Sequence, residues 1–193
     1  MLTWEQRKLG ELLDFLKDGT HGTHIDSKNG PFLLSAKNIK NGKLIIDLSS
    51  DRRISEKDYQ SIISSFHPVA GDVLMTIVGT IGDCCILEKP DRVAFQRSVA
   101  FLRCSEMLDN RFLISAIATD WFQRSLRVRK SVSAQPGVYL GDIAYIPMAI
   151  PTFSEQQRIG AFFHDFDDLI TLHQRKLEVL NNLKKAMLDK MFV

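Results

Sequence analysis

The chain has 193 residues, 45% hydrophobic and 25% charged, with a formal net charge of +2, which is room for one well-packed domain with an appendage and ordinary for a water-soluble globular protein. No run of ~18 apolar residues is present to span a membrane as a helix, and Met1–Lys8 lacks the apolar centre of a secretory signal. Cys84, Cys85 and Cys104 do not make a disulfide framework, so reduced, cytoplasmic thiols are expected.

From Trp4 to Pro151 the pattern is of short apolar runs broken by glycine, asparagine and serine. Phe32–Ser35, Lys43–Leu48, Asp72–Val78, Cys84–Leu87 and Ser98–Arg103 read as strands, being short, rich in β-branched or aromatic residues and bounded by turn residues. Asn41-Gly42 is a hairpin turn, since both residues tolerate positive φ, and Gly79-Thr80-Ile81-Gly82 is a second turn. Two helices interrupt the strands. Ser55–Ser64 opens on a capping serine with Asp58 three residues on, and Asp109–Val128 carries Phe112, Leu113, Ala116, Ile117, Trp121, Phe122 and Leu126 near helical spacing.

The prolines of Ile146-Pro147-Met148-Ala149-Ile150-Pro151 favour extended backbone. Ser154 then stands three residues before Gln157 as a capping box, and no proline follows. Phe166, Leu169, His173, Leu177, Leu180, Leu183 and Met187 recur in steps averaging close to 3.5, the period of a coiled-coil seam. A helix of this length runs to roughly 55–60 Å. Its stripe is too long to be buried by a small domain alone and calls for a second helix. The expected architecture is α+β: a compact, mixed, mostly antiparallel β-rich domain over residues 1–151, then one long coiled-coil-forming helix over 152–193.

Charge is distributed locally. Arg111, Arg124, Arg127, Arg129 and Lys130 face a single acid, Asp120, between positions 111 and 130, whereas residues 151–193 carry six basic and six acidic side chains. Arg124 and Arg127 are three apart and share a helical face; with Lys130, Ser133 and Gln135 they form the best nucleic-acid candidate, against the plain alternative of a solvated basic helix end. Gln96 and Arg97 bring side chains capable of paired hydrogen bonds to a strand start. Lys37 and Asn38 precede the Asn-Gly turn. His21 and His24 in Gly19-Thr20-His21-Gly22-Thr23-His24 invite a metal reading, but no Cys-x-x-Cys pair completes a zinc set, so Thr20 and His21 are read as loop contacts to phosphate or base edges. Cys84 and Cys85 lie in an apolar run and read as packing residues, not nucleophiles.

Several motifs resemble one family. Trp4–Leu12 is similar to the opening segment of a target-recognition domain in the specificity subunit of type I restriction-modification enzymes, and Asp18–His21, Gly71–Met75, Gly79–Gly82 and Gln96–Ala100 resemble that domain's internal motifs. Ile146-Pro147, Ile150-Pro151, Glu155–Gly160, Asp167–Ile170 and His173–Leu177 resemble its spacer-helix signature. The resemblance covers essentially the whole chain and implies a non-catalytic subunit that reads double-stranded DNA. It adds Thr80 to the candidate contacts. It also implies partners: modification subunits that hold S-adenosylmethionine, and through them a restriction subunit that uses ATP and Mg, with no cofactor on this chain. Full subunits of the family carry two recognition domains and two antiparallel spacer helices, so one of each is half a unit, either a natural half-subunit or a fragment. Pairing of two copies through the helix would make a homodimer and an interrupted palindromic target. Two other classes stay open at this point: a stand-alone nuclease or methyltransferase with a coiled-coil tail, and a coiled-coil scaffold without DNA contacts.

Overall fold

The computed structural model describes residues 4–131 and 136–192. In chain order the strands are β1 (Glu5–Lys8), β2 (Leu13–Asp18), β3 (Phe32–Leu34), β4 (Ile39–Lys40), β5 (Lys43–Leu44), β6 (Val73–Thr76), β7 (Cys84–Ile86), β8 (Val93–Phe95), β9 (Val99–Cys104) and β10 (Pro147–Ile150). The α-helices are α1 (Glu56–Ser65), α2 (Asn110–Ile117), α3 (Asp120–Val128), α4 (Leu140–Ala144) and α5 (Phe153–Met191).

A four-stranded antiparallel sheet in the order β2-β9-β6-β7 organises the domain. Alternate side chains go to opposite faces. Val73, Met75, Ala100 and Leu102 pack with Phe112, Leu113, Ile117, Phe122 and Leu126 of α2 and α3. Leu74, Val99 and Phe101 pack with Leu34, Ile39, Leu87, Val93 and Phe95 on the other side. Burial on both faces explains why residues 73–75 form an apolar run without polar alternation. Strands β3 and β8 pair in parallel beside the sheet, and α1 covers Leu33, Ile54 and Ala94 through Tyr59.

The Asn41-Gly42 turn joins β4 to β5 as expected, with φ of 51° and 72°. The strand expected over Lys43–Leu48 is shorter: the Ile45 N–H still meets the Asn38 carbonyl in register, but the Asn38 N–H turns back to the Ser35 carbonyl and its side-chain Nδ2 takes the Ile45 carbonyl instead, which ends the ladder. The helix expected over Asp109–Val128 is two helices. Asp109 caps α2 by accepting the Phe112 N–H at 2.9 Å, and Thr119 caps α3 by accepting the Phe122 N–H at 3.3 Å. Strands β1 and β2, β8 and helix α4 had no counterpart among the expected elements.

Asp72, in the Gly71–Met75 segment, is a structural residue. It is buried, accepts the Val69 N–H at 2.9 Å, and takes two bonds from Arg103 at 2.7 and 2.9 Å. The Asp72 carboxylate holds the Arg103 guanidinium even more firmly protonated than usual.

The long helix starts two residues before the expected capping box: Thr152, extended after Pro151, accepts the Glu155 N–H and caps α5. Ser154 therefore lies inside the first turn. Strand β10, just before it, is held by β1 in the register Glu5↔Ile150 to Lys8↔Pro147. Gln156 is buried and its amide is fully used: Oε1 accepts the Asp109 N–H at 3.0 Å, and Nε2 donates to the carbonyls of Met107 and Pro151 at 3.0 and 3.1 Å. One turn on, Gly160 lies against α2 so closely that a Cβ would stand 2.7 Å from the Phe112 nitrogen and 2.8 Å from Arg111 Cβ. Beyond Thr171, which accepts a bond from Lys43 Nζ at 3.2 Å, every residue through Phe192 is exposed.

This junction yields a direct expectation. Gly160→Ala pushes α5 off α2 and costs roughly 1–3 kcal/mol by overpacking, read as a lower midpoint in thermal unfolding, whereas Ala161→Gly, half-buried beside it, lacks that clash and leaves the helix docked.

Candidate nucleic-acid interface

The loops at one end of the sheet are stitched into a continuous surface by backbone hydrogen bonds. Strands β2 and β6 end there and β7 and β9 begin there. Gly19 N–H donates to Val99 O at 3.0 Å and Thr20 N–H to Phe95 O at 2.8 Å, while Arg97 N–H returns to Thr20 O at 3.0 Å. The chain passes so close at Gly19 that a Cβ would lie 2.1 Å from the Phe95 carbonyl oxygen. A side chain at 19 would unseat Thr20. The surface continues through Gln96 N–H to Leu34 O, Ile77 N–H to Ser98 O, Val138 N–H to Ile77 O and Ser131 N–H to Gly137 O, all between 2.8 and 2.9 Å. Ser98 Oγ accepts the Ala36 N–H at 3.0 Å and so brings the 35–38 turn alongside.

Sequence reasoning scattered its candidate contacts over more than a hundred residues, and several converge here. Thr20, Gln96 and Arg97 are neighbours through the Thr20–Gln96 bridge. Thr80 is exposed in the turn between β6 and β7. That turn is tied to α3, because Gln123 Nε2 donates to the Gly82 carbonyl at 3.1 Å and to the Ile117 carbonyl at 2.8 Å. Helix α3 buries Phe122 and Leu126 and turns Arg124 and Arg127 outward, with Lys130 exposed just past its end. Among the described residues Arg97, Arg127 and Lys130 have no acidic partner, and Arg124 reaches only Asp120, at 3.5 Å. Uncompensated cations on one side of a domain are what a polyanion neutralises. Ser133 and Gln135 lie outside the described residues.

Other candidates are already engaged. Lys37 pairs with Asp51 at 2.8 Å. Asn38 is buried, and its amide is used inside the fold: Nδ2 donates to Ile45 O at 2.9 Å and to Asp51 at 2.6 Å, and Oδ1 accepts the Ser35 N–H at 3.0 Å. It braces the 35–51 loop and is not presented for contact. His21 Nε2 bonds to Asp18 at 2.5 Å and His24 Nε2 to Thr20 Oγ1 at 2.9 Å, so the two imidazoles of this loop are held by different partners. Among the described residues no trio of His, Cys, Asp or Glu is placed to hold a metal ion. Sequence reasoning missed Arg52. Arg52 donates to the His24 carbonyl at 2.6 Å and pairs with Asp26, and it belongs to no local pattern that marks such a contact.

A second surface lies on α5. At about 100° per residue, Phe166, Leu169, His173, Leu177, Leu180 and Met187 share one face with Met191, roughly 125° around the helix from the docked Gln156 and Gly160. Leu183 falls beside this seam, nearer to Leu172 and Val179, which form a second apolar strip roughly 100° away. All of these apolar side chains are about half exposed or more, from 48% at Phe166 to 72% at Met191. Phe162 and Phe166 pack edge to face with centroids 4.9 Å apart, so the seam begins while the helix is still docked. No helix of the described residues is long and apolar enough to cross a membrane.

The cysteines are inert. Burial pushes the thiols of Cys84, Cys85 and Cys104 up to about 12. The folded state keeps them protonated where the unfolded chain, near 9.0, has begun to ionise. Raised acid pKa values of this kind favour the unfolded state as pH climbs above 9, so stability falls there. At pH 8 a disulfide reagent should find these thiols slow in native protein and fast in denaturant; rapid native labelling would contradict their burial.

Comparison with known proteins gives one family. The model of the type I restriction modification DNA specificity domain matches residues 1–182. Among curated relatives, the putative specificity subunit of type I restriction enzyme MjaX from Methanocaldococcus jannaschii is 24% identical over 196 residues, covering 98% of this chain and 45% of the relative. The MjaVIII specificity subunit of the same organism is 24% identical over 193 residues, covering 96% and 44%. The chain therefore spans a little under half the length of these relatives. The fold is shared with the HsdS subunit from Thermoanaerobacter tengcongensis (TM-score 0.60, 20% identity, 98% of this chain and 45% of that one). It is shared too with the type I restriction-modification S subunit from M. genitalium (TM-score 0.62, 15% identity, 96% and 44%).

Proposed function

The chain belongs to the type I restriction-modification DNA specificity domain family, and from that premise we propose that it reads half of a bipartite DNA target without catalysing any reaction on it. The observation that carries this reading is the loop surface at one end of the sheet, where Thr20, Thr80, Gln96 and Arg97 stand on a hydrogen-bonded frame with Arg124, Arg127 and Lys130 beside them. Lysines and arginines hold phosphates and set position, while loop side chains meet base edges. Gln96 suits adenine and Arg97 suits guanine. S-adenosylmethionine, ATP and Mg belong to partner subunits in this account, and the setting is the cytoplasm.

The helix α5 acts as ruler and platform. Its seam, from Phe166 to Met187, pairs antiparallel with the helix of a second copy, which supplies the other half-site. The adjacent strip of Leu172, Val179 and Leu183 leaves apolar surface for modification subunits, through which the restriction subunit joins.

Two expectations follow from this reading. Binding of duplex DNA, measured with modification subunits present, falls steeply with salt, and Arg127→Ala and Lys130→Ala each lower the slope of log K against log salt by about 1, whereas Arg97→Ala relaxes the preference at one base position; salt-independent or absent binding sinks the proposal. Leu177→Glu with Leu180→Glu converts a dimer to a monomer in light scattering while the melting midpoint of the domain holds. A wild-type chain that is monomeric at all accessible concentrations removes the helix-pairing part.

A further inference from the structure

The Gly19–Asp26 loop carries a hydrogen-bond pair that does more than brace it. Thr20 Oγ1 and His24 Nε2 are 2.9 Å apart, and the Gly22 N–H points weakly at the same oxygen, at 3.4 Å. Both side chains are only half-buried and line one wall of a cleft of about 280 Å³ between this loop and α1. His24 itself is held from behind. Its carbonyl accepts from Arg52 at 2.6 Å, the next residue's N–H donates to Asp58 at 2.7 Å, and the Ile25 carbonyl accepts the Ser55 N–H at 2.9 Å. The backbone that carries the imidazole is therefore fixed.

Resting on the DNA-reading proposal, we infer that His24 is a specificity-positioning residue: it sets whether the Thr20 hydroxyl offers DNA a donor or an acceptor. In the neutral ring with its proton on Nδ1, Nε2 accepts the Thr20 O–H, and the hydroxyl has only lone pairs left to offer. Those suit an adenine N6 or cytosine N4 amine. Adding a proton at Nε2 reverses the bond. Thr20 Oγ1 then accepts from His24, and its freed O–H donates outward to a phosphate oxygen, a guanine O6, a thymine O4 or a purine N7. Histidine is the side chain whose charge ordinarily changes between about pH 5 and 8. The charged groups around the ring are Asp58 and Lys57 on α1, Arg52 behind it, and Lys17, Asp18, His21 and Asp26 along its own stretch of chain. Asp18 is already bonded to His21, at 2.5 Å, and Arg52 to Asp26, at 2.6 Å. Asp58, whose carboxyl is held below its ordinary range chiefly by the Ile25 N–H and Ser55, stays anionic throughout and faces the imidazolium as a counter-charge.

The test, run like the salt titration with modification subunits present, is selection from a random-sequence pool of duplexes about 30 base pairs long, at about pH 8 and about pH 6, sequencing what the protein retains. The protein is wild type, His24→Gln, Thr20→Val or His21→Gln, each with a thermal melt to establish folding. Wild-type protein should change its preference at one base position, or its overall retention, by roughly 5- to 10-fold between the two pH values, the size expected of one hydrogen bond gained or lost with a charge involved. A change of base marks a base-edge contact, and a uniform change across sequences marks a phosphate. His24→Gln and Thr20→Val should both lose the pH dependence, and His21→Gln should keep it. If His24→Gln fails to fold, Thr20→Val, which preserves shape at a half-buried position, carries the comparison. Enriched sequences that are the same at both pH values, or a pH dependence that survives Thr20→Val, overturn the role of His24 and leave DNA reading intact. No enrichment by any protein at either pH fails the DNA-reading proposal itself.

Discussion

The side-chain amide of Gln156 makes three backbone hydrogen bonds at the point where the domain becomes a helix, reaching Asp109, Met107 and Pro151 from a fully buried position. A buried amide with even one unmatched partner costs about 1–3 kcal/mol, so this arrangement holds only when β10, the 105–109 turn and the first turn of α5 are all in place. Gly160, one turn on, lets α5 lie against the backbone of α2. Strand β1 clamps β10 from the other side. Together these contacts turn a helix that would otherwise swing on Pro151 into a rigid extension of the domain. The direction in which the exposed seam points is therefore set by the domain's own packing.

The sheet supplies the complementary constraint. Because both of its faces are buried, its side chains are consumed by packing, and contacts to anything outside fall to the loops at its ends. At one end the chain leads into α2 and the Gln156 lock. At the other, a relay of backbone bonds from Gly19 to Ser131 fixes the loops relative to one another. Recognition by loops needs such a frame, since a hydrogen bond read by a side chain is informative only if the backbone beneath it does not move. In the proposed reading, one end meets DNA while the other holds the helix.

Much of this was legible in the chain itself. The Asn41-Gly42 turn, the apolar strands of the sheet, the Ser55 cap and the helical seam all carry local signals, and all are present. The parts that were not legible share a cause, which is that tertiary contacts decide them. Strand β1 has the sequence Glu5-Gln6-Arg7-Lys8, with no apolar residue to betray it, and exists because β10 offers it a ladder. Strand β2 shifts register between Leu13 and Phe15, which blurs its alternation. The break between α2 and α3 depends on Thr119 and on Gln123 capturing the Ile117 carbonyl. At the candidate interface, residue types pointed to Arg97, Arg124 and Arg127, which the fold leaves exposed. They misdirected at Asn38, where a buried amide and an exposed one look alike in sequence. The meeting of Thr20 with Gln96 is a product of topology, invisible to any window along the chain. The seam on α5 was legible, yet its second strip of Leu172 and Val179 emerged only when the docked face was known.

Hydrogen–deuterium exchange of the chain with and without a selected duplex tests the central claim most directly. The account predicts slowed exchange on DNA binding in residues 19–24, 79–82 and 96–98 and along α3, with β1, β10 and the first turns of α5 unchanged. Protection confined to the opposite end of the sheet, around Met107–Asp109, with the loop end unaffected, would contradict it.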